Sequence, residues 1–141
     1  MQIEPGQLAV ITGGGTGIGR ALARQLSAAG VHLALCDISA AHMAETQALC
    51  LAGAPAGTRV STCVADVSQE PAVLAFRDAV CAEHHTDHIH LLFNNAGTAG
   101  GGAFVNGNRA DWERTFNIDW FGVYYMARAF MPLLVASPVG C

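Results

Sequence analysis

The chain has 141 residues, of which 52% are hydrophobic and 13% are charged, and its formal net charge is −4 at pH 7. A chain of this length can form one domain and bury about 68–70% of its unfolded surface, which excludes a disordered protein. Its seven basic residues are scattered arginines, which argues against nucleic-acid binding, and the absence of lysine excludes Schiff-base and P-loop chemistry.

Short aliphatic runs alternate with longer segments in which apolar residues recur at helical spacing. This order predicts parallel strands with right-handed crossovers, and therefore a three-layer α/β fold: a doubly wound, Rossmann-type parallel sheet with about four strands. No linker or repeat divides residues 1–141, so one domain is expected. In chain order, the predicted elements are strand 7–12, helix 18–29, strand 31–37, a helix capped by Ser39 that runs to 52, strand 59–65, a helix capped by Ser68, strand 89–93 and helix 109–135.

Two of these elements carry further expectations. The strand at 89–93 is apolar throughout, which is typical of a strand covered on both faces. A glycine-rich loop at 97–107 leads from it to the last helix, in which a bend is predicted near Asn117.

A glycine-rich segment, TGGGTGIG at residues 12–19, lies where the first strand gives way to the first helix. Helix N–H groups and the helix dipole attract an anion at that position, and glycine allows the backbone to approach a phosphate closely. The Walker A pattern fails, because Arg20 and Ala21 stand where Lys and Ser or Thr are required, and GxGxxG fails in every register. The pattern that fits is TGxxxGxG, at Thr12, Gly13, Gly17 and Gly19.

Asp37 closes the second strand, where a carboxylate in a dinucleotide-binding fold accepts hydrogen bonds from the ribose hydroxyls. The 2′-phosphate of NADP would meet that negative charge, and neither Ile38 nor Ser39 offers a cation to offset it. NAD is therefore favoured over NADP. The alternative is that the glycines form only a tight turn and that Asp37 only caps the next helix.

Together, these motifs resemble the short-chain dehydrogenase/reductase family over residues 6–141, with Asp66-Val67 after the third strand and an Asn-Asn-Ala-Gly motif at 94–97 after the fourth. The resemblance implies hydride transfer between a nicotinamide dinucleotide and a small alcohol or carbonyl substrate. It also implies that Asp66 and Val67 contact adenine and that the 94–97 loop lies beside the cofactor. The expected cofactor-binding residues are Thr12, Gly13, Gly15, Thr16, Gly17, Ile18, Gly19, Asp37, Ile38, Asp66, Val67, Asn94, Ala96 and Gly97.

The family's catalytic set is an Asn on the helix after that loop, then a Ser, then Tyr-x-x-x-Lys. The position of the Asn falls on Asp119, with Asn117 two residues earlier, and the resemblance implies that the Asp119 carboxylate would hold the water of a proton relay. Tyr124 and Arg128 reproduce the Tyr-x-x-x-Lys spacing, but they lie on the wrong helix, and arginine does not serve as that lysine. A core or interface role is expected for the tyrosine.

By the same resemblance, a fifth strand would begin at Gly140 and Cys141, and the catalytic Ser, Tyr and Lys would lie beyond them. The 141 residues by themselves are then expected to bind the dinucleotide without turnover. A second hypothesis, from another class, is a non-catalytic nucleotide-binding or dimerising module. In both cases residues 89–93 would form an exposed sheet edge, which favours homo-oligomers or aggregation.

Compartment and metal binding follow from the remaining composition. Five widely spaced cysteines and an N-terminus without a signal-peptide pattern predict a cytoplasmic protein with reduced thiols. Residues 120–136 are the most apolar stretch, but Arg128 and Pro132 interrupt it, so no membrane span is predicted. The histidines at 84, 85, 88 and 90 could in principle bind zinc or nickel, but a solvated turn is the preferred interpretation, so no metal is expected.

Overall fold

The structure is a computed structural model that describes residues 2–139. Its strands are β1 (Leu8–Thr12), β2 (His32–Asp37), β3 (Val60–Val64) and β4 (Leu91–Phe93). Its helices are α1 (Gly17–Ala28), α2 (Ala40–Gly53), α3 (Glu70–His84), α4 (Arg109–Phe116) and α5 (Gly122–Ala136), with a π-helical segment, Asn117–Phe121, between the last two. The four strands pair in parallel in the order β3-β2-β1-β4, which confirms the predicted fold class.

The core lies on both faces of this sheet, because successive residues of a strand point to opposite sides. Leu8 and Val10 of β1 belong to an apolar cluster that includes residues of α3 and α5, whereas Ala9 and Ile11 belong to a second cluster with residues of α1 and α2. In the first cluster the rings of Phe76 and Phe130 lie 5.6 Å apart between centroids. The molecule therefore has three layers.

The start of α3 differs from the prediction. Its N-cap is Gln69, without a side-chain cap, and Ser68 does not cap the helix. The Ser68 backbone N–H and hydroxyl both donate to Oδ1 of Asp66, over 2.9 and 2.7 Å. The acceptor two residues upstream closes a local turn before the helix begins, and this turn takes the hydroxyl that capping would need.

Strand β4 is shorter than predicted and begins at Leu91, although the His90 N–H still donates to the Leu8 carbonyl of β1 over 2.9 Å. The Ile89 N–H donates to the carbonyl of Leu133 in α5, and the His90 ring accepts the Leu8 N–H through Nδ1 over 3.0 Å. Leu91 is buried, but Leu92 and Phe93 are only half-buried. The prediction of a strand covered on both faces was therefore wrong beyond Leu91, and within residues 2–139 only β1 pairs with β4.

Near Asn117, where a bend is predicted, the structure has the π-helical segment, a rare form that occurs often at functional sites. The histidines between α3 and β4, which are the candidate metal ligands, have separate surroundings. His84 is buried, His85 ends α3 with φ at 51°, and the His88 ring pairs with the Asp87 carboxylate over 2.9 Å. No group of three or more potential metal ligands occurs in the described part of the chain. Between residues 2 and 139, no helix is both long enough and apolar enough to cross a membrane.

Candidate functional site

A cleft of about 420 Å³ opens at the edge of the sheet where all four strands end. Right-handed crossovers bring the carboxyl ends of parallel strands to one edge, so residues distant in sequence meet there. Each strand contributes residues just after its end, and the start of α1, helix α4 and the π-helical segment complete the wall. The lining residues are Gly13, Thr16, Gly17, Ile18, Asp37, Ile38, Ala65, Asp66, Val67, Asn95, Ala96, Gly97, Thr98, Arg114 and Ile118.

The cleft thus gathers most of the predicted cofactor-binding residues. Thr12, Gly15 and Gly19 do not line it but lie in or beside the glycine loop. Asn94 is exposed and does not line it either. Five residues that were not predicted as cofactor-binding also line the cleft: Ala65, Asn95, Thr98, Arg114 and Ile118.

Hydrogen bonds of Thr12 and Asn95 join the glycine loop to the end of β4. The buried Thr12 hydroxyl accepts the backbone N–H groups of Asn95 and Ala96, over 3.0 and 2.9 Å. In return, the Asn95 side-chain amide donates to the carbonyls of Thr12 and Gly13, over 3.0 and 3.3 Å. These bonds satisfy backbone groups that the ends of two strands would otherwise leave unpaired.

Two glycines of the loop adopt positive φ values. Gly13, at φ 65°, lies so close to the β4 end that a Cβ on it would be 2.9 Å from the Ala96 Cα. Gly17, at φ 53°, opens α1, and a Cβ there would meet nothing within 4 Å. The first packs two chain segments together, whereas the second leaves open space in the cleft beside the first amides of α1, which have no acceptor within the helix.

The Asp37 carboxylate lies beside the same loop. Its Oδ2 accepts the Gly15 N–H over 2.9 Å, and its Oδ1 accepts the Ser39 N–H over 3.0 Å. The N-cap of α2 is Ser39, whose hydroxyl accepts the His42 N–H. Asp37 is therefore not the helix cap, and each carboxylate oxygen keeps a lone pair for a further donor.

A second acidic group and one cation complete the polar lining. The Oδ1 of Asp66 accepts both hydrogen bonds from Ser68, whereas no group within residues 2–139 donates to its Oδ2. Among residues 2–139, Arg114 is the one cation that lines the cleft, which also holds the carboxylates of Asp37 and Asp66. Val67 and Ile118 provide apolar surface, so the cleft combines apolar side chains with the carboxylate acceptors of Asp37 and Asp66.

Asp119, at the position where the family has Asn, lies in the π-helical segment and does not line the cleft. Its Oδ1 accepts the Thr98 N–H over 2.9 Å, so the carboxylate is bonded to the loop that follows β4. Tyr124 and Arg128 bond to each other on α5, over 2.9 Å, and neither lines the cleft. Burial raises the pKa of the Cys36 thiol beside Asp37, which makes that sulfur a poor nucleophile.

Comparison with known proteins agrees with this geometry. A family model described as short chain dehydrogenase matches residues 7–141. A Mycobacterium tuberculosis protein that carries the name oxidoreductase SadH is 42% identical over 135 residues, which are 96% of this chain and 47% of the relative. The chain spans about half the length of the curated relatives it matches.

Solved structures share the fold. The crystal structure of levodione reductase has a TM-score of 0.90 and 32% identity, over 97% of this chain and 52% of the other. The structure of a Burkholderia phymatum short chain dehydrogenase in complex with NAD has a TM-score of 0.85 and is 36% identical, over 94% of this chain and 46% of the other. The structure of a metagenomic short-chain oxidoreductase in complex with NADP has a TM-score of 0.86 and is 29% identical, over 99% of this chain and 61% of the other.

Proposed function

Because the chain belongs to the short chain dehydrogenase family, we propose that its cleft binds a nicotinamide dinucleotide, with NAD(H) preferred to NADP(H). The reaction of the whole protein is hydride transfer to or from a small alcohol or carbonyl substrate. Similar proteins in complex with NAD and with NADP support a dinucleotide of either kind. The preference for NAD rests on Asp37, and residues 1–141 supply the dinucleotide-binding part.

The observation that carries the proposal is the fit between two kinds of polar group across the cleft. On one side, the first amides of α1 lie beside the open space at Gly17, and N–H groups at a helix N-terminus suit a pyrophosphate. On the other side, Asp37 keeps free lone pairs for ribose hydroxyls. Asp66 Oδ2 and the apolar surfaces of Val67 and Ile118 suit the amino group and the faces of an adenine ring.

When bound, the nicotinamide supplies or accepts the hydride. The residues of this chain bind and orient. Thr12 and Asn95 fix the loop after β4 beside the cleft, and Asp119 holds the same loop at Thr98. We propose that Asp119 serves at the place of the family's Asn, with its second oxygen available for a water.

The sequence contains no lysine, so residues 1–141 lack the Tyr-x-x-x-Lys pair that relays the proton in this family. We expect this 141-residue chain by itself to show no oxidation of a panel of secondary alcohols with NAD above a no-enzyme control. The measurement is NADH absorbance over time. Turnover well above that control would show that residues 1–141 contain an acid/base group of their own, which would contradict this expectation.

The preference for NAD can be tested at Asp37. In a fluorescence titration, the chain should bind NADH about tenfold or more tightly than NADPH, which corresponds to roughly 1.4 kcal/mol of repulsion between the carboxylate and the 2′-phosphate. Asp37→Asn should narrow the preference to within about threefold, because the neutral amide no longer repels a phosphate. Asp37→Ala is a less clean variant, since it also removes the acceptor of the Gly15 N–H.

The matched control is Asp78→Asn on α3, which changes the net charge equally but lies outside the cleft. Equal affinities for NADH and NADPH in the parent chain would refute the role of Asp37. Arg114→Ala forms a second arm. If this cation approaches the 2′-phosphate, its loss should weaken NADPH binding more than NADH binding.

One observation favours the alternative of a dimerising module. Exposed apolar side chains lie along α4, the π-helical segment and α5, at Phe116, Trp120 and Tyr124 and, beyond Arg128, at Met131 and Val135, and together they form an apolar stripe. Trp120 is 68% and Val135 76% exposed. Exposed apolar patches of this kind mark interaction sites, so we propose that a second copy of the chain covers the stripe.

The described cysteines, Cys36, Cys50, Cys63 and Cys81, are all free thiols. Free thiols suit a reducing compartment, because disulfides form and persist in oxidising ones. We therefore propose a cytoplasmic location.

A further inference from the structure

The peptide at Gly15 is held on both sides by side chains from three different elements. Its N–H donates to Asp37, as described above. Its carbonyl oxygen accepts from the Arg20 guanidinium, from Nη2 over 2.6 Å and from Nε over 3.0 Å. The same oxygen accepts the Thr46 hydroxyl of α2 over 3.1 Å. Three donor atoms, two from Arg20 and one from Thr46, therefore hold this one carbonyl oxygen in place.

Arg20 and Thr46 form one network rather than two separate contacts. Arg20 Nε lies 2.9 Å from the Thr46 hydroxyl oxygen, so Thr46 accepts from Arg20 while it donates to Gly15. Thr46 is fully buried in α2. Arg20 also pairs with Glu45 over 2.7 Å, but the Glu45 side chain is 58% exposed, and an ion pair in solvent adds little.

The network decides which polar atoms of the loop face the cleft. Thr16, Gly17 and Ile18 line the cleft, whereas Gly15 does not, because its carbonyl points towards α1 and α2. A carbonyl oxygen turned towards an anion would repel it, whereas N–H groups attract it. Holding this oxygen away leaves N–H groups on the phosphate side.

We propose that Arg20 and Thr46 are positioning residues for the pyrophosphate of the dinucleotide, acting through the Gly15 carbonyl. The inference rests on the proposed function, because it concerns the same cleft. It adds that the loop alone does not fix the phosphate-binding conformation and that helix α2 takes part through a buried hydroxyl. Affinity for ligands with a pyrophosphate should therefore depend on this network, and affinity for adenosine should not.

The test uses Thr46→Val, which removes only the hydroxyl, with Thr46→Ser as the conservative variant that restores it. Arg20→Met removes the guanidinium, and Arg24→Met, an exposed arginine one turn further along α1, is the matched charge control. For each variant of the 141-residue chain, Kd is measured for NADH by fluorescence, and for ADP and adenosine by competition. A thermal melt reports on folding.

We expect Thr46→Val and Arg20→Met to raise Kd for NADH and ADP about tenfold, the effect of losing one hydrogen bond that orders the site. Kd for adenosine should stay within about twofold, and Thr46→Ser and Arg24→Met should behave as the parent chain. Because Thr46→Val changes no charge, its effect cannot arise from lost electrostatic attraction.

Three results would overturn the inference: unchanged ADP affinity in folded Thr46→Val, an equal loss for adenosine and ADP, or no rescue by Thr46→Ser. If Arg20→Met does not fold, the Thr46 pair decides alone. A parent chain that binds neither NADH nor ADP would refute the proposed function as well, whereas a parent that binds both while the variants are unaffected refutes only the positioning role.

Discussion

Gly19→Ala should lower the free energy of unfolding by about 3 kcal/mol, the upper range for inserting a methyl group into a packed site. For a chain of this size, the loss corresponds to a melting temperature about 10 °C lower. Binding of NADH should fall at least about 100-fold, because the methyl group displaces the loop that is proposed to bind the pyrophosphate. Thermal unfolding and fluorescence titration measure the two effects.

The physical reason is that the atoms around Gly19 cannot retreat. A Cβ on Gly19 would overlap the Gly13 carbonyl oxygen and would lie 2.7 Å from the Asn95 side-chain nitrogen. Gly13 is itself pressed against Ala96, and Asn95 holds the carbonyls of both Thr12 and Gly13. Any movement that relieves the clash must therefore break the bonds that join β1 to the end of β4.

Two other glycines provide controls. A Cβ on Gly53, the last residue of α2, would meet nothing within 4 Å, so Gly53→Ala should change stability by no more than about 1 kcal/mol, in the stabilising direction. Gly17→Ala meets no atoms but forces a positive φ on alanine, at about 1–2 kcal/mol. If Gly19→Ala melts and binds like Gly53→Ala, the close packing against Gly13 does not matter.

The order of elements could be predicted because each strand and helix has its own apolar period, which is a local property of the sequence. The loops at the cleft could be predicted only in part. Asp37 and Gly17 are predicted at the cleft because dinucleotide-binding folds use these residue types at those places, and both line it. Asn95 was passed over for Asn94, because the letters alone do not show which of two adjacent side chains turns back to β1.

Other features depend on contacts between segments distant in sequence. The network of Arg20 and Thr46 joins α1 to α2 across 26 positions of the chain, and no short motif indicates it. Ser68 was predicted as a helix cap because the residue type suits one, but Asp66 competes for it from two residues away. In both cases the outcome is decided by a hydrogen-bond partner, which periodicity does not show.

His84 gives the second large effect. It is the last residue of α3 and is 4% exposed, and its Nε2 lies 2.8 Å from the Ser61 hydroxyl. Ser61 donates to the carbonyl of Leu33 over 3.4 Å, so its oxygen accepts the Nε2 proton, and the buried Nδ1 has no partner among the described residues. Protonation would place an unpaired N–H and a charge in the core. Burial, followed by the charges of Arg59, His32 and His85, lowers the pKa of His84 to about 4.

The direction of the pH effect follows from this shift. Above an ordinary histidine pKa of 6.5, His84 is neutral in both the folded and the unfolded state, and stability is fully present. As the pH falls from there towards 4, the unfolded chain binds a proton that the folded chain refuses, so the folded state is progressively destabilised. Two and a half pKa units correspond to roughly 3 kcal/mol in total, of which about 2 kcal/mol should be lost between pH 7.5 and pH 5.

Urea unfolding of the parent chain and of His84→Gln at pH 7.5 and at pH 5 isolates this contribution. Glutamine can still donate to Ser61 but does not titrate, so its loss of stability between the two pH values should be smaller than that of the parent by about 2 kcal/mol. Carboxylates and the other histidines titrate equally in both chains and cancel in the difference. Equal losses would show that His84 accepts a proton in the folded state as readily as in the unfolded one. That result would require Nδ1 to find an acceptor, so the end of α3 would have to open before the sheet unfolds.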